Sequence, residues 1–478
     1  MSDMLIRNSS PDPAGGAPDW PPIHLPEHVV SVIGTLRGAG HQAYVVGGVI
    51  RDALLGAPTE PVMDVATSAL PEEVQRLFPR THPVGLEHGT VGVRADDGTV
   101  EVTTFRADVE TFGRKARVRF GNDLREDLAR RDFTINALAF DPETRELIDP
   151  FGGLSDLAAR VLRTVGDARR RFAEDYLRIL RGARFAARFD LEVPDDVRDA
   201  MRESAEGTRS LSGERVRDEL MKTLAQAERP SAAFRLLRET GVLEEILPEL
   251  EAAFGVEQNR WHPDDVGEHT LLVVDAVPRR HSFLRLVALL HDLGKPAAKT
   301  WDPARQDYVF RGHDEIGARM ARTILERLRF PRRDIERAAG LVRAHMDLFP
   351  MESGDAAVRR WLQRVGEENV RDLFRLHVAD WAGNRAKPQP ARELRALYRR
   401  AREVAAARGA LKVADLAIGG DELRSLGLPP GPRYREILSA LLQRVIDDPS
   451  LNQRETLLRE ARLLAGPVAG APLSPDGR

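Results

Sequence analysis

The pattern of apolar residues changes near residue 166, and this change limits the chain to two kinds of structure in sequence. Before it, short apolar runs such as "QAYVVGG" and "TVGVRADDGTVEVTTFR" predict a buried strand and a hairpin. After it, apolar residues recur with the helical period, as in "FAEDYLRILRGARFAARF" and "ERVRDELMKTLAQA". We therefore expect an α+β head followed by a mostly α-helical body.

The limits of these parts follow from local composition. Residues 1–25 and 466–478 are rich in Pro, Gly, Ser and Asp and are predicted to be disordered tails. Between them we expect four parts, which are a head at 26–165, a helical neck at 166–230, a helical domain at 231–400 and a C-terminal helical tail at 401–465.

Composition excludes several classes of protein. The chain has 478 residues and no cysteine, which rules out disulfides and thiolate metal sites and fits a reducing cytoplasm. No apolar run approaches the roughly 18 residues of a membrane span, and the first residues lack the order of a signal peptide. We predict a cytoplasmic protein without a membrane partner. The net charge of -3 gives no overall attraction to nucleic acid.

The head contains residues suited to phosphate chemistry. Asp64 lies in a short predicted strand, "MDVAT", just after a turn rich in Gly and Pro, and Glu101 lies in the strand "VEVTTFR". Acids in strands more often face solvent, so the value of Glu101 depends on its lying beside Asp64. Gly47 and Gly48 separate a strand from a helix that carries Arg51, an arrangement that lets backbone N–H groups approach a phosphate.

Two further motifs place polar side chains at helical spacing. In "RRDFTINALAF", Arg131 precedes Asp132 and Asn136, which are predicted to share one helix face and suit ribose or phosphate recognition. In "EDYLRILRGARFAARF", Asp175 and Arg178 have the spacing of base-edge readers or of an ordinary helix ion pair.

Three arginines follow in the same helical pattern. They recur three and then four residues apart and are predicted to form an RNA-phosphate stripe or simply a solvated face; they are Arg181, Arg184 and Arg188.

Histidine and aspartate recur at predicted helix ends in the body. Such residues suit a divalent transition metal held by imidazole and carboxylate groups. A single histidine on an apolar face usually belongs to the core, but this stretch contains many of the 12 histidines of the chain. The candidate ligands are His269, His291, Asp292, His313, His345 and Asp380.

The order of these motifs resembles a known family. "GGVIRDALLG", "MDVAT", "VEVTTFR", "RRDFTINALA", "DPFGG", "EDYLRILRGARFAARF" and "GERVRDELMKTL" occur in the order seen in class II CCA-adding tRNA nucleotidyltransferases and bacterial poly(A) polymerases. "EHTLLVVDAV", "LLHDLGKP" and "GHDEIGA" resemble the HD metal-dependent phosphohydrolase domain fused to many bacterial members. The resemblance covers roughly residues 26–465 and implies a nucleotidyltransferase palm in the head and an HD-type domain in the body.

The resemblance implies roles for the residues of the head. Asp64 and Glu101 match catalytic carboxylates that hold Mg²⁺; Gly47, Gly48 and Arg51 match the triphosphate-binding turn; Arg131, Asp132 and Asn136 match the ribose-recognition element; and Asp175 and Arg178 match the pair that reads CTP and ATP. Residues 107–125 match the mobile loop associated with switching from C to A.

Position 62 departs from the family pattern. The family has Asp there as the first acid of a D-x-D pair, whereas this chain has Val62, and the nearest other acid is Glu60. On an ideal strand, each two-residue step away from Asp64 adds about 7 Å between Cα atoms, and Glu60 lies two such steps away. Glu60 therefore reaches a metal at Asp64 only if the turn at Pro61 bends it inward. We therefore expect a metal site with one ligand absent or displaced.

The favoured function is addition of CCA to tRNA 3′ ends from CTP and ATP with Mg²⁺. Alternatives of the same class are a poly(A) polymerase and an enzyme that adds only part of the triplet. A different reading makes the head a weakened RNA-binding module and the HD domain, with its unidentified metal, the main active site.

Overall fold

The computed structural model describes residues 20, 22–57, 63–85, 89–95, 97–112, 115–384, 391–407 and 409–465. For residues 85, 107–112, 115–119 and 391 the description covers the backbone alone. These residues form two compact units that divide after Glu251.

The first unit is built on a mixed seven-stranded sheet. Its strands lie in the order β3-β4-β5-β2-β1-β8-β9, and β6 pairs with β7 in a separate ribbon. β2 and β5 run parallel, and the other described pairs are antiparallel. The strands are β1 Ala43–Val46, β2 Met63–Thr67, β3 Thr81–Gly85, β4 Thr90–Ala95, β5 Gly98–Thr104, β6 Arg106–Phe112, β7 Lys115–Phe120, β8 Ala139–Asp141 and β9 Glu146–Ile148.

Twelve described α-helices complete this unit. They are α1 Glu27–Gly38, α2 Gly48–Leu54, α3 Pro71–Leu77, α4 Leu124–Ala129, α5 Gly153–Ala159, α6 Ala168–Glu174, α7 Leu177–Phe189, α8 Asp195–Glu203, α9 Gly213–Gln226, α10 Ser231–Glu239, α11 Val242–Ile246 and α12 Pro248–Glu251. Short 3₁₀ helices lie at Thr134–Asn136 and Glu206–Ser210. Apolar side chains of the central strands, including Val45, Val65 and Val102, are fully buried.

The second unit is almost entirely helical. Its helices are α13 Val266–Ala276, α14 Ser282–Leu290, α15 Lys295–Ala298, α16 His313–Arg327, α17 Arg332–Ala344, α18 Asp355–Val365, α19 Val370–Gly383, α20 Ala391–Ala406, α21 Gly420–Ser425, α22 Pro432–Asp447 and α23 Arg454–Ala465. Its 3₁₀ helices are Arg279–His281, Glu367–Asn369, Val413–Asp415 and Pro449–Leu451. A small hairpin, β10 Thr300–Asp302 and β11 Asp307–Val309, interrupts the helices.

Several predicted limits differ from the structure. Residues 231–251 belong to the first unit instead of the predicted helical domain, because α10 packs against α7. Part of the predicted N-terminal disordered tail is packed, since Ile23 is buried and Trp20 meets the ring of Phe140 edge-on at 5.8 Å. The tail predicted at 466–478 lies outside the described residues.

The segment at 107–125, predicted to be a mobile loop, is largely regular. Its backbone forms the antiparallel ribbon of β6 and β7, which pair from Arg106 with Phe120 to Phe112 with Lys115. The alternating sequence "ADVETF" and "KARVRF" explains the pairing, because such patterns favour strands. Among the described residues, no helix combines the length and apolar character that crossing a bilayer requires.

Candidate active sites

Asp64 and Glu101 lie side by side in the sheet of the first unit. β2 and β5 run parallel, and Asp64 is directly opposite Glu101 in their register. Residues opposite each other on adjacent strands present their side chains to the same face. The two predicted acids therefore share one face. Val62 and Glu60 lie outside the described residues, so the predictions about them stay predictions.

Asp64 lines a cavity of about 620 Å³. Its volume falls within the range of roughly 300–1,000 Å³ that is typical of small-molecule sites. Nearly all of the site residues predicted in the head line it, namely Gly47, Gly48, Arg51, Asp64, Arg131, Asp132, Asn136, Asp175, Arg178, Arg181, Arg184 and Arg188. Residues that are distant in sequence thus converge on one concave surface.

The glycine turn lies between β1 and α2. Gly47 has φ of 78° and donates its N–H to the carbonyl of Leu138 at 3.2 Å. A Cβ atom at this position would lie 2.7 Å from Nη1 of Arg131 and 3.7 Å from Oδ2 of Asp64. The backbone conformation therefore favours glycine, and a Cβ atom would also displace the guanidinium of Arg131 beside Asp64.

Arg51, predicted to bind the triphosphate, is largely occupied within the protein. Its guanidinium donates to Asp52 at 2.6 Å and to Asn136, and it lies 4.8 Å and 4.7 Å from the ring centroids of Phe185 and Phe189. Burial lowers the pKa of Arg51, and the attraction of Asp52 only partly offsets this effect. Arg51 is thus mainly a wall of the cavity and links α2 to α7.

Asp132 and Asn136 contact each other, but they do not share a helix as predicted. α4 ends at Ala129, and only Thr134–Asn136 forms a 3₁₀ turn. Asn136 Nδ2 donates to Oδ1 of Asp132 at 2.8 Å, and Arg181 Nε donates to Oδ2 at 2.7 Å. Burial favours the neutral acid, but Arg181 and Asn136 outweigh it and lower the pKa of Asp132 to about 2.

The predicted base-reading pair is divided between two helices. α6 ends at Glu174, Asp175 is its C-cap, and α7 begins at Leu177, so the expected continuous helix is wrong here. Asp175 Oδ2 accepts from Arg215 Nη2 at 2.7 Å, while Arg178 Nη1 donates to Oε2 of Glu174 at 2.6 Å. Asp175 and Arg178 are therefore oriented by separate partners, and both line the cavity.

The three arginines of α7 do not form a solvated stripe. Arg184 is only 4% exposed and donates to Oε2 of Glu219 at 2.7 Å. Arg188 donates to Oδ2 of Asp52 at 2.8 Å, and Arg181 is bound to Asp132. Arg184 and Arg188 thus form buried or nearly buried ion pairs, which corrects the alternative of a solvated face; that these arginines contact RNA phosphate stays a prediction.

The sequence motifs did not reveal the side chains that orient the predicted polar residues of the head cavity. They are Asp52 on α2, Glu174 at the end of α6, and Arg215, Glu219, Lys222 and Gln226 on α9. The α9 residues recur at spacings of four, three and four and so form one polar stripe on an otherwise amphipathic helix. The sequence alone does not distinguish this stripe from the solvated face of an ordinary amphipathic helix, so it gave no clear signal.

The second unit brings the predicted histidines and aspartates together. Two groups of three have ligand atoms within 4.8 Å of one another, His269 with His291 and Asp380, and Asp292 with His313 and His345. Asp292 lies between them, because Oδ2 is 3.2 Å from Nε2 of His291 and Oδ1 is 3.5 Å from Nε2 of His345. All six predicted ligands therefore form one cluster.

Three of the imidazoles are held in the same way. Nδ1 lies 2.7 Å from the carbonyl of Ala288 in His291, 2.6 Å from that of Phe310 in His313 and 2.6 Å from that of Val342 in His345. A proton on Nδ1 satisfies each carbonyl and leaves the lone pair of Nε2 available. Metal-binding histidines are commonly oriented by such a second hydrogen bond.

The inward atoms of the cluster are poorly matched as hydrogen-bond partners for one another. Within the described residues, Nε2 of His291 and Oδ2 of Asp292 are buried without a well-aligned hydrogen bond, although Lys295 Nζ is 2.6 Å from that oxygen. Nε2 of His313 and Nε2 of His345 face each other at 3.2 Å. A divalent cation would satisfy these atoms, so the residues present fit a metal with imidazole and carboxylate ligands.

The charge of the cluster also favours a cation. Burial lowers the pKa of His291, but Asp292 and Asp380 outweigh burial and raise it to about 10.

Gly294, just after Asp292, is packed so closely that a Cβ atom would lie 2.1 Å from the carbonyl oxygen of His313. The glycine allows α16 to bring His313 to Asp292. The cluster opens into a cavity of about 790 Å³ that also includes Arg260, Trp261 and Trp381.

Sequence profiles of three families match the chain in order. A profile described as poly A polymerase head domain matches residues 43–163, one described as probable RNA and SrmB-binding site of polymerase A matches 190–254, and an HD domain profile matches 262–415. A CCA-adding enzyme of Geobacillus stearothermophilus is 32% identical over 434 residues, which cover 90% of this chain and 95% of that relative.

Other relatives match over a shorter region. A CCA-adding enzyme of Streptococcus mutans is 46% identical over 206 residues, so the match covers 42% of this chain and 51% of that relative. Among solved structures, the Bacillus stearothermophilus CCA-adding enzyme in complex with CTP is similar with a TM-score of 0.66 and 29% identity, covering 91% of this chain and 95% of the other. An apo CCA-adding enzyme at 20% identity and a TM-score of 0.58 shows the shared fold alone.

Proposed function

The chain belongs to the family of CCA-adding enzymes, and from this membership we propose the roles of its residues in adding CCA to the 3′ end of tRNA from CTP and ATP. The observation that carries the proposal is that Asp64, which is paired with Glu101 in the sheet, lines a cavity together with a glycine turn and polar recognition groups. Two neighbouring carboxylates supply the oxygen ligands that Mg²⁺ prefers.

Each part of the cavity has a distinct task in the proposal. Asp64 and Glu101 hold Mg²⁺, which when bound stabilises charge on the transferring phosphoryl group and helps to activate the attacking hydroxyl. The glycine turn at Gly47 and Gly48 binds the triphosphate through the N–H groups at the start of α2, from Gly48 onward, while the N–H of Gly47 is bound to Leu138. Asp132 and Asn136, already fixed to each other and to Arg181, bind the ribose.

Asp175 and Arg178 select the base. A carboxylate accepts from an exocyclic amino group, and a guanidinium donates to ring nitrogen and carbonyl acceptors. Arg215 and Glu174 hold these side chains in place before the nucleotide binds. A site of fixed polar groups rejects a base that leaves them unpaired.

The test of this function is incorporation. Purified protein is incubated with Mg²⁺, labelled CTP or ATP, and tRNA that lacks its 3′ CCA, and the products are separated by length. We expect two C residues and one A. Repeated A addition without CTP would indicate a poly(A) polymerase, addition of C alone or A alone a partial enzyme, and no incorporation a head that serves only in RNA binding.

A second activity is proposed for the second unit. The cluster of four histidines and two aspartates, with three imidazoles anchored through Nδ1, suits a metal-dependent phosphohydrolase. The metal, when bound, supplies a water of lowered pKa as nucleophile. Hydrolysis of nucleotide phosphate esters, assayed after adding Mn²⁺, Co²⁺, Ni²⁺ or Zn²⁺ to chelator-treated protein, tests this proposal.

A further inference from the structure

Helix α20 presents a row of arginines that neither proposed active site uses. Arg392, Arg395, Arg399 and Arg402 recur at spacings of three, four and three, which places them on one face of the helix. All four are exposed, whereas Leu394, Ala401 and Val404 on the opposite face are buried. The row extends over about 15 Å, at 1.5 Å of rise for each residue.

The row differs from an ordinary charged surface in how its charge is balanced. In the described part of the chain, no carboxylate forms an ion pair with Arg392, Arg395 or Arg399, whereas the neighbouring Arg400 pairs with Asp355. Other surface arginines of this unit are often paired with acids; examples are Arg343 with Glu315 and Arg364 with Asp347. Among the described residues, most of the row is therefore not held in close ion pairs, although α20 also carries the exposed Glu393 and Glu403.

A second helix adds to this surface. Arg371 on α19 lies with Nε 3.5 Å from the hydroxyl of Tyr398 on α20. Hydrogen bonding to the hydroxyl, together with the positive charges of Arg371 and Arg402, lowers the pKa of Tyr398. Arg371 thus extends the positive surface of α20 to a second helix, which is an arrangement that suits a phosphate.

We propose that this arginine ridge, Arg371, Arg392, Arg395, Arg399 and Arg402, binds the phosphate backbone of the structured part of the RNA substrate. Arginine binds phosphate through two parallel N–H groups. A straight row on a helix can follow the backbone of a duplex without reading its bases. The inference rests on the proposed tRNA substrate and assigns a surface that contributes to RNA affinity and not to nucleotide choice.

The test compares two triple variants in binding and catalysis. Arg392→Gln/Arg395→Gln/Arg399→Gln removes the centre of the ridge, and Arg319→Gln/Arg424→Gln/Arg435→Gln removes the same charge from exposed positions on α16, α21 and α22. The dissociation constant of tRNA lacking CCA is measured by fluorescence over a range of salt concentrations. The KM for CTP is measured at saturating tRNA.

We expect the ridge variant to bind tRNA about 10–100-fold more weakly at low salt. The slope of log K against log salt should fall by roughly 2 to 3, because each phosphate that the protein no longer neutralises reduces it by about 0.7–0.9. The KM for CTP should not change. The proposal would be wrong if both triple variants weakened tRNA binding equally. It would also be wrong if the ridge variant lost as much affinity for a short unpaired oligonucleotide as for tRNA. Since binding is measured without turnover, its result is independent of whether the wild type incorporates nucleotides.

Discussion

At the scale of single residues, position 62 offers the sharpest test of the head. Asp64 and Glu101 are paired in the sheet, but the third acid expected two residues before Asp64 is replaced by valine, which offers no oxygen to a metal. If no other group replaces it, Val62→Asp should raise the rate of incorporation at least tenfold, about 1.4 kcal/mol of barrier. Single-turnover rates measured over a range of Mg²⁺ concentrations check this.

The controls for position 62 distinguish the effect of a negative charge from that of side-chain shape, and test whether Glu60 replaces the missing acid. Val62→Asn introduces a side chain with the shape of aspartate but no charge, and should raise the rate of incorporation much less than Val62→Asp. If Glu60 supplies the missing oxygen, Glu60→Ala should abolish activity and Val62→Asp should add little. A wild type that is fast at low Mg²⁺ and indifferent to both substitutions would show that the catalytic acids have been misidentified.

Asp132 should make stability depend on pH. Its pKa in the folded chain is about 2, below the ordinary value of 3.8, because Arg181 and Asn136 stabilise the carboxylate. The stabilisation, about 2 kcal/mol at most, is complete above pH 3.8 and is lost as the pH falls toward 2. Asp132→Asn should therefore lower the Tm by several degrees near neutral pH, and the difference should shrink in acid. The exposed Asp199→Asn is the control, and a difference that does not change with pH would contradict the prediction.

At this scale, sequence motifs predicted which residues come together in the head cavity better than they predicted the partners that each residue contacts. Nearly all of the residues that the motifs predicted for the head line its cavity, because each chemical task needs a particular residue type. The motifs did not predict that Arg51 would be buried against the rings of Phe185 and Phe189, or that Arg184 would be buried in an ion pair with Glu219, since these partners lie far away in the sequence. Periodicity within one segment contains no information about a partner that is 35 residues away.

At the scale of elements, the break between α6 and α7 determines where the base-reading residues point. Asp175 is the residue at this break, with an extended backbone, and the ring of the next residue, Tyr176, packs over Gly207, where a Cβ atom would lie 2.3 Å from the ring. Gly207→Ala should therefore displace Tyr176 and, with it, the neighbouring Asp175. We expect weaker discrimination against UTP and GTP, as we also expect for Arg178→Ala, with a smaller effect on tRNA binding.

Gly34→Ala in α1 is the matched control for this prediction. No described atom lies within 4 Å of the added methyl group, and alanine favours a helix interior by roughly 1 kcal/mol over glycine. Its selectivity for CTP and ATP in a single-turnover assay should equal that of the wild type. Unchanged selectivity in Gly207→Ala would mean that the break does not position Asp175.

The same break shows why sequence patterns predict elements incompletely. Apolar periodicity continues through Asp175 and Tyr176 and so predicts one helix, whereas the extended backbone of Asp175 divides it in two. The hairpin of β4 and β5 was predicted correctly, because its alternation and turn are local. β10 and β11 were missed, since strands of three residues are too short to show a period.

At the scale of the whole molecule, two sets of chemical groups occur in one chain, and each set lies within one of the two compact units. The order of motifs along the sequence predicted this division. It placed the boundary near residue 230 instead of after Glu251, because the helical period is the same on both sides and only packing separates the units. Because each set of site residues lies within one unit, substitutions in one set should remove its activity and leave the other activity intact.

Asp292→Ala tests this separation. Asp292 contacts both groups of histidines, so its removal should abolish metal retention and phosphohydrolase activity. Incorporation of CTP and ATP should remain close to that of the wild type, because no residue of the head cavity is changed. Metal content after dialysis, circular dichroism and both activities are measured on the same preparation, with the exposed Asp421→Ala as the control. An equal decrease of both activities in a folded variant would show that the cluster supports the structure on which incorporation depends, because the two chemistries could then not be assigned to separate residues.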